Sequence, residues 1–296
     1  MRRKPLADPS SIAVPEHSSS HGELAVRPWL AVWTLGYREL QRFFRQRNRV
    51  IGAIGQPILF WLLFGSGMHQ TFRMGTAGDG ASSFQAYFFP GTLMLILLFT
   101  AIFTTISIIE DRKEGFLQSV LVAPVPRWAM VLGKVLGGSV IALIQGLIFL
   151  LLALTLPIEM HWNAVGGLVL LMFVSAVALT SMGFVLAWRM QSTQGFHAIM
   201  NLLLMPMWLL SGAFFPQPVL DANSSWGQVV MHWMMKLNPV TYCVAGVRQL
   251  LFDPQALQGL ELPSELLCWG VTVSFAVIML AWSWRIAGKT TSGDLL

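Results

Sequence analysis

The sequence is poor in charge and in cysteine. Only 11% of its 296 residues are charged, whereas 55% are hydrophobic, and the mean hydropathy is +0.62. A soluble domain carries roughly 25% charged residues, so this composition argues against a soluble domain. The two cysteines, Cys243 and Cys268, are too few for a disulfide framework and too far apart for a metal cluster of usual spacing. We expect them to be packing residues, and we expect no metal site.

The N-terminus lacks the apolar stretch of a signal peptide. It begins with the charged run Met1-Arg2-Arg3-Lys4, but Pro5, Asp8 and Pro9 follow where apolar residues would be needed. Residues 1–23 are polar and rich in Pro and Ser, so we expect a disordered tail there rather than a cleaved segment.

Motifs for catalysis and for ion coupling are also missing. The apolar segments contain no His-Glu-x-x-His, no Gly-x-Ser-x-Gly and no paired carboxylates. No carboxylate lies deep in an apolar segment, which disfavours a transporter driven by protons or sodium ions. Gly288-Lys289-Thr290 resembles the end of a phosphate-binding loop, but Ser283 stands where such a loop requires glycine. The chain is therefore expected neither to be an enzyme nor to bind ATP itself.

Long apolar stretches make up most of the sequence. Six of them are long enough to cross a hydrocarbon core about 30 Å thick. They cover residues 50–68, 87–109, 131–156, 164–188, 197–215 and 266–286. A further stretch, 229–252, is broken by Asn238-Pro239 and carries Lys236 and Arg248, so a re-entrant or interfacial helix pair is expected there, with a full crossing as the alternative. The sequence predicts an all-α integral membrane protein whose six-span domain covers residues 50–288.

The basic residues are unevenly distributed between the two sides of the predicted membrane. If both termini share a side, that side holds 16 of the 19 Lys and Arg residues, nine before the first span and seven after it. Because cytoplasmic loops carry an excess of Lys and Arg, both termini, including the tail 289–296, are expected in the cytoplasm. The formal net charge of +5 fits a membrane surface, and nucleic acid is not expected as a partner.

The segment 24–49 has the pattern of an amphipathic helix. Apolar residues recur at steps of three and four, and arginines follow the same spacing on another face. The two sets are Trp33, Tyr37, Leu40 and Phe44, and Arg38, Arg42, Arg45 and Arg49. A helix of this kind lies on the membrane, with its aromatic face among acyl chains and its arginines among anionic head groups. A plain charged anchor and a specific docking role both fit this pattern.

The segment after the second span is first charged and then apolar. Glu110-Asp111-Arg112-Lys113-Glu114 precedes Gly115 and a short apolar helix over 116–121, which Pro124 and Pro126 would end. From these residues alone, a solvated turn whose charges enforce topology is possible. The alternative is a helix whose apolar face needs lipid or a protein partner.

Two blocks of residues in the sequence have the character of family signatures. The first block is Glu110-Asp111-Arg112, Gly115-Phe116-Leu117, Leu121-Val122-Ala123-Pro124-Val125, Arg127-Trp128 and Leu132-Gly133-Lys134. The second is Leu210-Ser211-Gly212-Ala213-Phe214-Phe215-Pro216, Leu237-Asn238-Pro239-Val240-Thr241-Tyr242 and Val247-Arg248. Together they resemble the type 2 ABC transporter permeases, the family to which bacterial drug-resistance and Nod-factor exporters belong. The resemblance spans roughly residues 27–286. One departure is that Cys243 and Ala245 stand where an acidic residue is often found before Arg248, which puts a charge-pair role for Arg248 in doubt.

The resemblance implies a six-span subunit that dimerises, most simply with itself, in the inner membrane of a bacterium. A separate ATPase subunit, which binds ATP and Mg²⁺, would dock on the charged loop and on the turn between the fourth and fifth spans. The residues implied in this coupling are Glu110, Asp111, Arg112, Glu114, Gly115, Phe116, Leu117, Val120, Leu121, Arg189 and Gln194. Asp111, Arg112 and Glu114 would form charged contacts at the rim, while Phe116 and Leu117 would enter an apolar groove of the ATPase.

The implied cargo is hydrophobic, amphipathic or lipid-linked, because the spans offer apolar faces rich in Met and aromatic residues. Gln56, Phe103, Asn201 and Met205 are candidates for lining the path, although each could equally make a helix-packing contact. Asn238, Pro239 and Arg248 would belong to the extracytoplasmic re-entrant pair, where a simple turn and a gating role both remain open. A membrane scaffold that assembles with an ATPase without transporting anything is the rival function.

Overall fold

The computed structural model describes residues 27–67, 84–155, 161–221, 224–257 and 260–288. This part of the chain contains ten α-helices: α1 (Pro28–Arg45), α2 (Arg47–Gly67), α3 (Phe84–Lys113), α4 (Phe116–Val122), α5 (Arg127–Leu150), α6 (Val165–Arg189), α7 (Thr193–Trp208), α8 (Trp226–Leu237), α9 (Pro239–Leu251) and α10 (Glu265–Gly288). Six helical segments are long and apolar enough to cross a membrane, and they match the six predicted spans. The predicted tails 1–23 and 289–296 lie outside the described residues.

The span α3 forms the centre of the bundle. In its most apolar window 94% of the residues are buried inside the chain, compared with 22% in the corresponding window of α2. It packs against α2, α5, α6, α7 and α9. Because α3 is apolar on all sides, it is suited to this central position. The outer helices keep apolar faces exposed, as helices in contact with lipid or with a second subunit do.

The helix α1 packs closely along α5. The contact is made by three glycines, Gly36 of α1 and Gly133 and Gly137 of α5. A Cβ atom added to Gly137 would lie 2.9 Å from the Gly36 carbonyl oxygen, so the two backbones meet without intervening side chains. Small residues allow such an approach between membrane helices. The structure confirms a helix within the predicted segment, with one side docked on the bundle and Trp33 and Tyr37 exposed on the other, while its position on the membrane surface stays a prediction.

The span α7 is broken at its far end. After Trp208 the chain continues as a π-helical turn, Leu209–Ala213, in which Gly212 has a φ of 75°. Glycine adopts this left-handed conformation without steric cost. The carbonyl oxygen of Gly212 accepts hydrogen bonds from the Tyr87 hydroxyl and from Arg248 Nη2, both at 3.1 Å. The break therefore provides an acceptor that holds α3 and α9 together.

The stretch between the fifth and sixth spans forms two helices, as predicted. The helix α8 begins at a capping box formed by Ser225 and Gln228 and ends at Leu237. Asn238 then caps α9, because its Oδ1 atom accepts from the Val240 amide at 3.1 Å, and Pro239 occupies the first turn. The break at Asn238-Pro239 thus follows from local capping chemistry, while the position of this pair relative to a membrane stays a prediction.

Candidate functional site: the charged loop and its ion pairs

The loop after α3 turns sharply into the short helix α4. The turn is made at Gly115, which has a φ of 76°. One side of α4 faces the bundle, because Leu117 is buried. The opposite side is open: Gln118 and Ser119 are exposed, and Val122 is 78% exposed. The helix is therefore anchored on one face and exposed on the other.

Asp111, at the end of α3, is the centre of an ion-pair network. It is fully buried. Arg38 of α1 donates to it through both terminal nitrogens of its guanidinium group, from Nη2 to Oδ1 at 2.7 Å and from Nη1 to Oδ2 at 3.0 Å. Arg42 of α1 and Lys134 of α5 donate to the same carboxylate. A single side chain thus connects three helices by charge-assisted hydrogen bonds.

The network extends on both sides of Asp111. Lys134 Nζ also donates to Glu39 Oε1 of α1 at 2.8 Å. Arg42 Nη2 lies 2.9 Å from Glu110 Oε2, and Arg49 of α2 pairs with the same carboxylate. With the Arg42–Glu114 contact, four cations and four carboxylates are paired in total. Buried charges are tolerated when they are paired and hydrogen-bonded in this way.

Arg112 ties the loop to the end of the fourth span. Its guanidinium nitrogens donate to the carbonyl oxygens of Trp188, at 2.6 Å, and Met190, at 3.1 Å. These carbonyls belong to the last turn of α6, where the backbone acceptors of a helix lack partners within the helix. The two segments predicted to contact an ATPase, the loop and the turn after α6, are therefore joined directly. Arg189 and Gln194, in and beside that turn, are exposed.

Arg38 also contacts the beginning of α4. Its Cζ atom lies 3.7 Å from the centre of the Phe116 ring, as in a cation–π interaction. Burial alone would lower the pKa of Arg38, but the hydrogen bond to Asp111 and the charge of that carboxylate outweigh it, so the pKa is raised above its ordinary value. The guanidinium group stays charged and holds Asp111 and Phe116 together.

Two groups of predicted contact residues have partners within the chain. Asp111 and Leu117 were expected to touch an ATPase; Asp111 is buried among its ion-pair partners, and Leu117 is buried in the apolar core. Arg38, Arg42 and Arg49 were expected among anionic head groups, and their guanidinium groups pair with carboxylates of the chain. The external contacts of these residues stay predictions, as does that of Arg45, which is exposed.

The remaining coupling candidates lie at the loop surface or edge. Glu114 is exposed, while Val120 and Leu121 are half-buried and pack against the core. Lys134 and Glu39 also belong to the site, although sequence reasoning assigned them no role in it. A signal for them existed: a lysine inside an apolar helix requires an acidic partner nearby.

The four candidates for the path lie around one groove. Phe103 of α3 contacts Gly52 of α2, where an added Cβ atom would lie 3.6 Å from its ring, and its ring centre is 5.9 Å from that of His197 of α7. Gln56 and Asn201 follow Gly52 and His197 by one helical turn, and both are exposed. An exposed amide on each side of the half-buried Phe103 ring thus marks the surface between α2 and α7. Met205, one turn beyond Asn201, is half-buried.

At the other end of α7, Asn238 and Arg248 are buried. Asn238 Nδ2 donates to the Met207 carbonyl oxygen at 2.5 Å, which ties α9 to α7. Arg248 donates to the carbonyl oxygens of Tyr87 and Gly212, both at 3.1 Å. The structure brings the re-entrant candidates together around the break in α7, and it separates them from the charged loop by the length of that helix.

Comparison with known proteins agrees with this architecture. The family model described as ABC-2 type transporter matches residues 30–252. The chain is 27% identical over 218 residues to the putative transport permease ycf38 of Cyanophora paradoxa, covering 71% of this chain and 72% of that protein. It is 24% identical over 224 residues to the inner membrane transport permease YadH of Escherichia coli K12, covering 74% and 82%.

A third relative is nodulation protein J of Rhizobium leguminosarum bv. viciae, which is 26% identical over 190 residues, or 64% of this chain and 71% of that protein. The family match covers the charged loop, the break in α7, the α8–α9 pair and five of the six apolar spans. The chain therefore belongs to the ABC-2 type transporter family, as a membrane-embedded transport permease.

Proposed function

We propose that this chain is the membrane-spanning subunit of an ATP-driven exporter and that a separate ATPase subunit docks on α4. The observation that carries the proposal is the attachment of the end of α3, which leads directly into α4, to four other helices. Asp111 connects it to α1 and α5, Glu110 connects it to α2, and Arg112 connects it to α6. A solvated turn that only sets topology would not need these contacts.

The attachment suggests how a movement of the ATPase would be transmitted to the membrane-spanning helices. ATP and Mg²⁺ would be bound by the partner subunit, and its closure would displace α4. Because α4 follows directly on the ion-paired end of α3 and is held by the buried Leu117 and by the contact of Phe116 with Arg38, its displacement would move α1, α3 and α5 together as packed elements. The contact of Arg112 with the end of α6 would extend the movement to the fourth span.

The surface available for docking is small and mixed. On α4 it consists of Gln118, Ser119 and the exposed Val122. Arg189 and Gln194 extend it across the adjoining turn. An apolar contact surrounded by polar and charged groups is usual at protein interfaces.

The groove between α2 and α7 supports a homodimer and a path for cargo. Gln56 and Asn201 expose amide groups on faces that would otherwise meet lipid, where an unpaired amide is costly. A second copy of the chain facing this groove would provide both amides with a hydrogen-bond partner or with a water-filled cavity. The floor of the groove, Phe103, is aromatic, and this suits a hydrophobic, amphipathic or lipid-linked cargo.

The proposed location is the inner membrane of a bacterium, with both termini in the cytoplasm. The asymmetric distribution of Lys and Arg supports this orientation. A relative named as an inner membrane transport permease supports the membrane.

Docking is tested by co-purification of candidate ATPase subunits with the wild-type chain and with Val122→Asp. This variant adds a charge to the exposed face of α4 and leaves the ion-pair network untouched, so it should fold. Trp226→Asp is the matched control, because Trp226 is 82% exposed and lies on α8, away from the loop. We expect the wild type and Trp226→Asp to capture an ATPase and Val122→Asp to lose it.

Transport is then measured as ATP-dependent efflux of amphipathic dyes from vesicles that contain the captured complex. Efflux that Gln56→Leu changes without altering ATPase capture would support the path. Capture of an ATPase without any efflux would favour the scaffold function, and a failure of all candidates to bind would refute the docking proposal.

A further inference from the structure

A cavity of about 240 Å³ lies beside the break in α7, at the opposite end of that helix from the charged loop. Part of its wall is apolar, from residues such as Met235 and Leu260. The polar part includes Ser211, Thr241 and Arg248. The volume is sufficient for a small head group and its first carbon atoms, and it is too small for a whole lipid.

The charge of Arg248 is not neutralised by the chain. Arg248 is only 3% exposed. Its Nη2 atom donates to two backbone carbonyl oxygens, and its guanidinium lies 4.2 Å from the centre of the Tyr87 ring. In the part of the chain that the structure describes, no carboxylate oxygen lies within 4.0 Å of its nitrogens, and its Nε atom is buried without a hydrogen-bond partner. This differs from Lys134, the buried cation of the charged loop, which contacts two carboxylates.

A buried charge without a counterion costs several kcal/mol, and neutral carbonyl groups offset only part of this cost. The position one turn before Arg248 on the cavity wall could supply a carboxylate, but Ala245 stands there. The hydroxyl groups of Ser211 and Thr241 already donate to backbone carbonyl oxygens, so they add polar surroundings only. The cavity therefore offers a fixed guanidinium group and free volume, which together form a site for an oxyanion.

We propose that this cavity binds the phosphate, sulfate or carboxylate head group of an amphipathic molecule, with Arg248 as its counterion and Ser211 and Thr241 as neighbouring polar groups. The inference goes beyond the proposed function, because it requires neither an ATPase nor transport. The site holds the break in α7 and the start of α9, so an occupant would stabilise this end of the bundle.

Glu261 is the competing carboxylate. It belongs to the cavity wall but is exposed and lies outside ion-pair distance of Arg248. If Glu261 were the working partner of Arg248, its replacement by Gln would destabilise the chain as the loss of an ion pair does. We expect Glu261→Gln to leave stability unchanged, and to leave anion binding unchanged or tighter.

The test uses the purified full chain in a neutral detergent, with dodecyl phosphate as the probe and dodecyl maltoside and inorganic phosphate as comparisons. Binding is measured by native mass spectrometry and by the shift of the thermal midpoint. The decisive variant is Ala245→Glu, which places a carboxylate beside Arg248. Ala245→Gln is its control, because it fills the same volume without charge.

The wild type should bind dodecyl phosphate at least tenfold more tightly than dodecyl maltoside. Ala245→Glu should weaken this binding by at least tenfold and should be at least as thermostable as Ala245→Gln, which retains the preference. If inorganic phosphate displaced dodecyl phosphate, the occupant of the cavity would be a free ion. If inorganic phosphate did not displace it, the occupant would be an amphipathic molecule. Equal binding of dodecyl phosphate by Ala245→Glu and Ala245→Gln would overturn the proposal.

Discussion

The ion-pair network predicts that Asp111→Asn lowers the stability of the chain. The substitution keeps the shape of the side chain and removes one negative charge from a set of four carboxylates and four cations. Lys134 and Arg38 would then share a buried site with one carboxylate fewer. Because Lys134 is only 5% exposed, water cannot replace the missing charge.

Removing one partner of a buried pair typically costs about 3–5 kcal/mol. For a chain of this size each kcal/mol lowers the thermal midpoint by roughly 2–4 °C, so the expected fall is about 6–20 °C. A second substitution, Lys134→Met, removes one cation and restores equal numbers of the two charges, three of each. We therefore expect the double variant Asp111→Asn/Lys134→Met to recover part of the loss, which a double-mutant cycle measures as coupling.

The chain contains its own probes of unfolding. Cys243 and Cys268 are both fully buried, so a fluorescent maleimide should label them only when the bundle opens. The fraction labelled during short pulses at increasing temperature gives the unfolding midpoint of each variant in detergent. Retention on size-exclusion chromatography after heating provides a second readout that does not depend on thiols.

Glu114→Gln is the matched control. Glu114 also pairs with Arg42, but its side chain is 59% exposed, and exposed ion pairs contribute about 0–1 kcal/mol. Its midpoint should stay within a few degrees of the wild type. The idea of a buried, coupled network would be refuted if Asp111→Asn lowered the thermal midpoint no further than Glu114→Gln does. It would also be refuted if the loss of stability in the double variant equalled the sum of the losses in the two single variants.

Three further outcomes are expected. Gly137→Ala places a methyl group against the backbone of α1 and should cost about 1–3 kcal/mol in thermal unfolding, while Gly166→Ala, with open space around it, should cost nothing. Asn238→Ala removes the cap of α9 and its hydrogen bond to α7, and should cost about 1–3 kcal/mol by the same assay. Gln56→Leu and Asn201→Leu should leave the midpoint unchanged or higher but alter efflux, and unchanged efflux in both would contradict a path in the groove.

Much of the fold could be predicted from the sequence, because lipid leaves few structural choices. A long apolar run must satisfy its backbone hydrogen bonds internally, so it becomes a helix, and all six runs do. The break at Asn238-Pro239 is also local, since Asn caps a helix and Pro occupies its first turn. The π turn at Gly212 was not predicted, because it depends on acceptors offered to Tyr87 and Arg248, which are distant in sequence.

The charged loop shows why the site was harder to predict than the fold. Arginines four residues apart on α1 and carboxylates at the end of α3 were both visible, and each set was assigned an external partner. Periodicity shows which residues share a face, but not which face another helix will meet. Lys134 contained the missing information: an ammonium group inside an apolar helix needs an acidic neighbour, and Asp111 and Glu39 meet this need. Each buried charge in a membrane sequence is therefore best matched with an opposite charge of the same chain before an external partner is assigned to it.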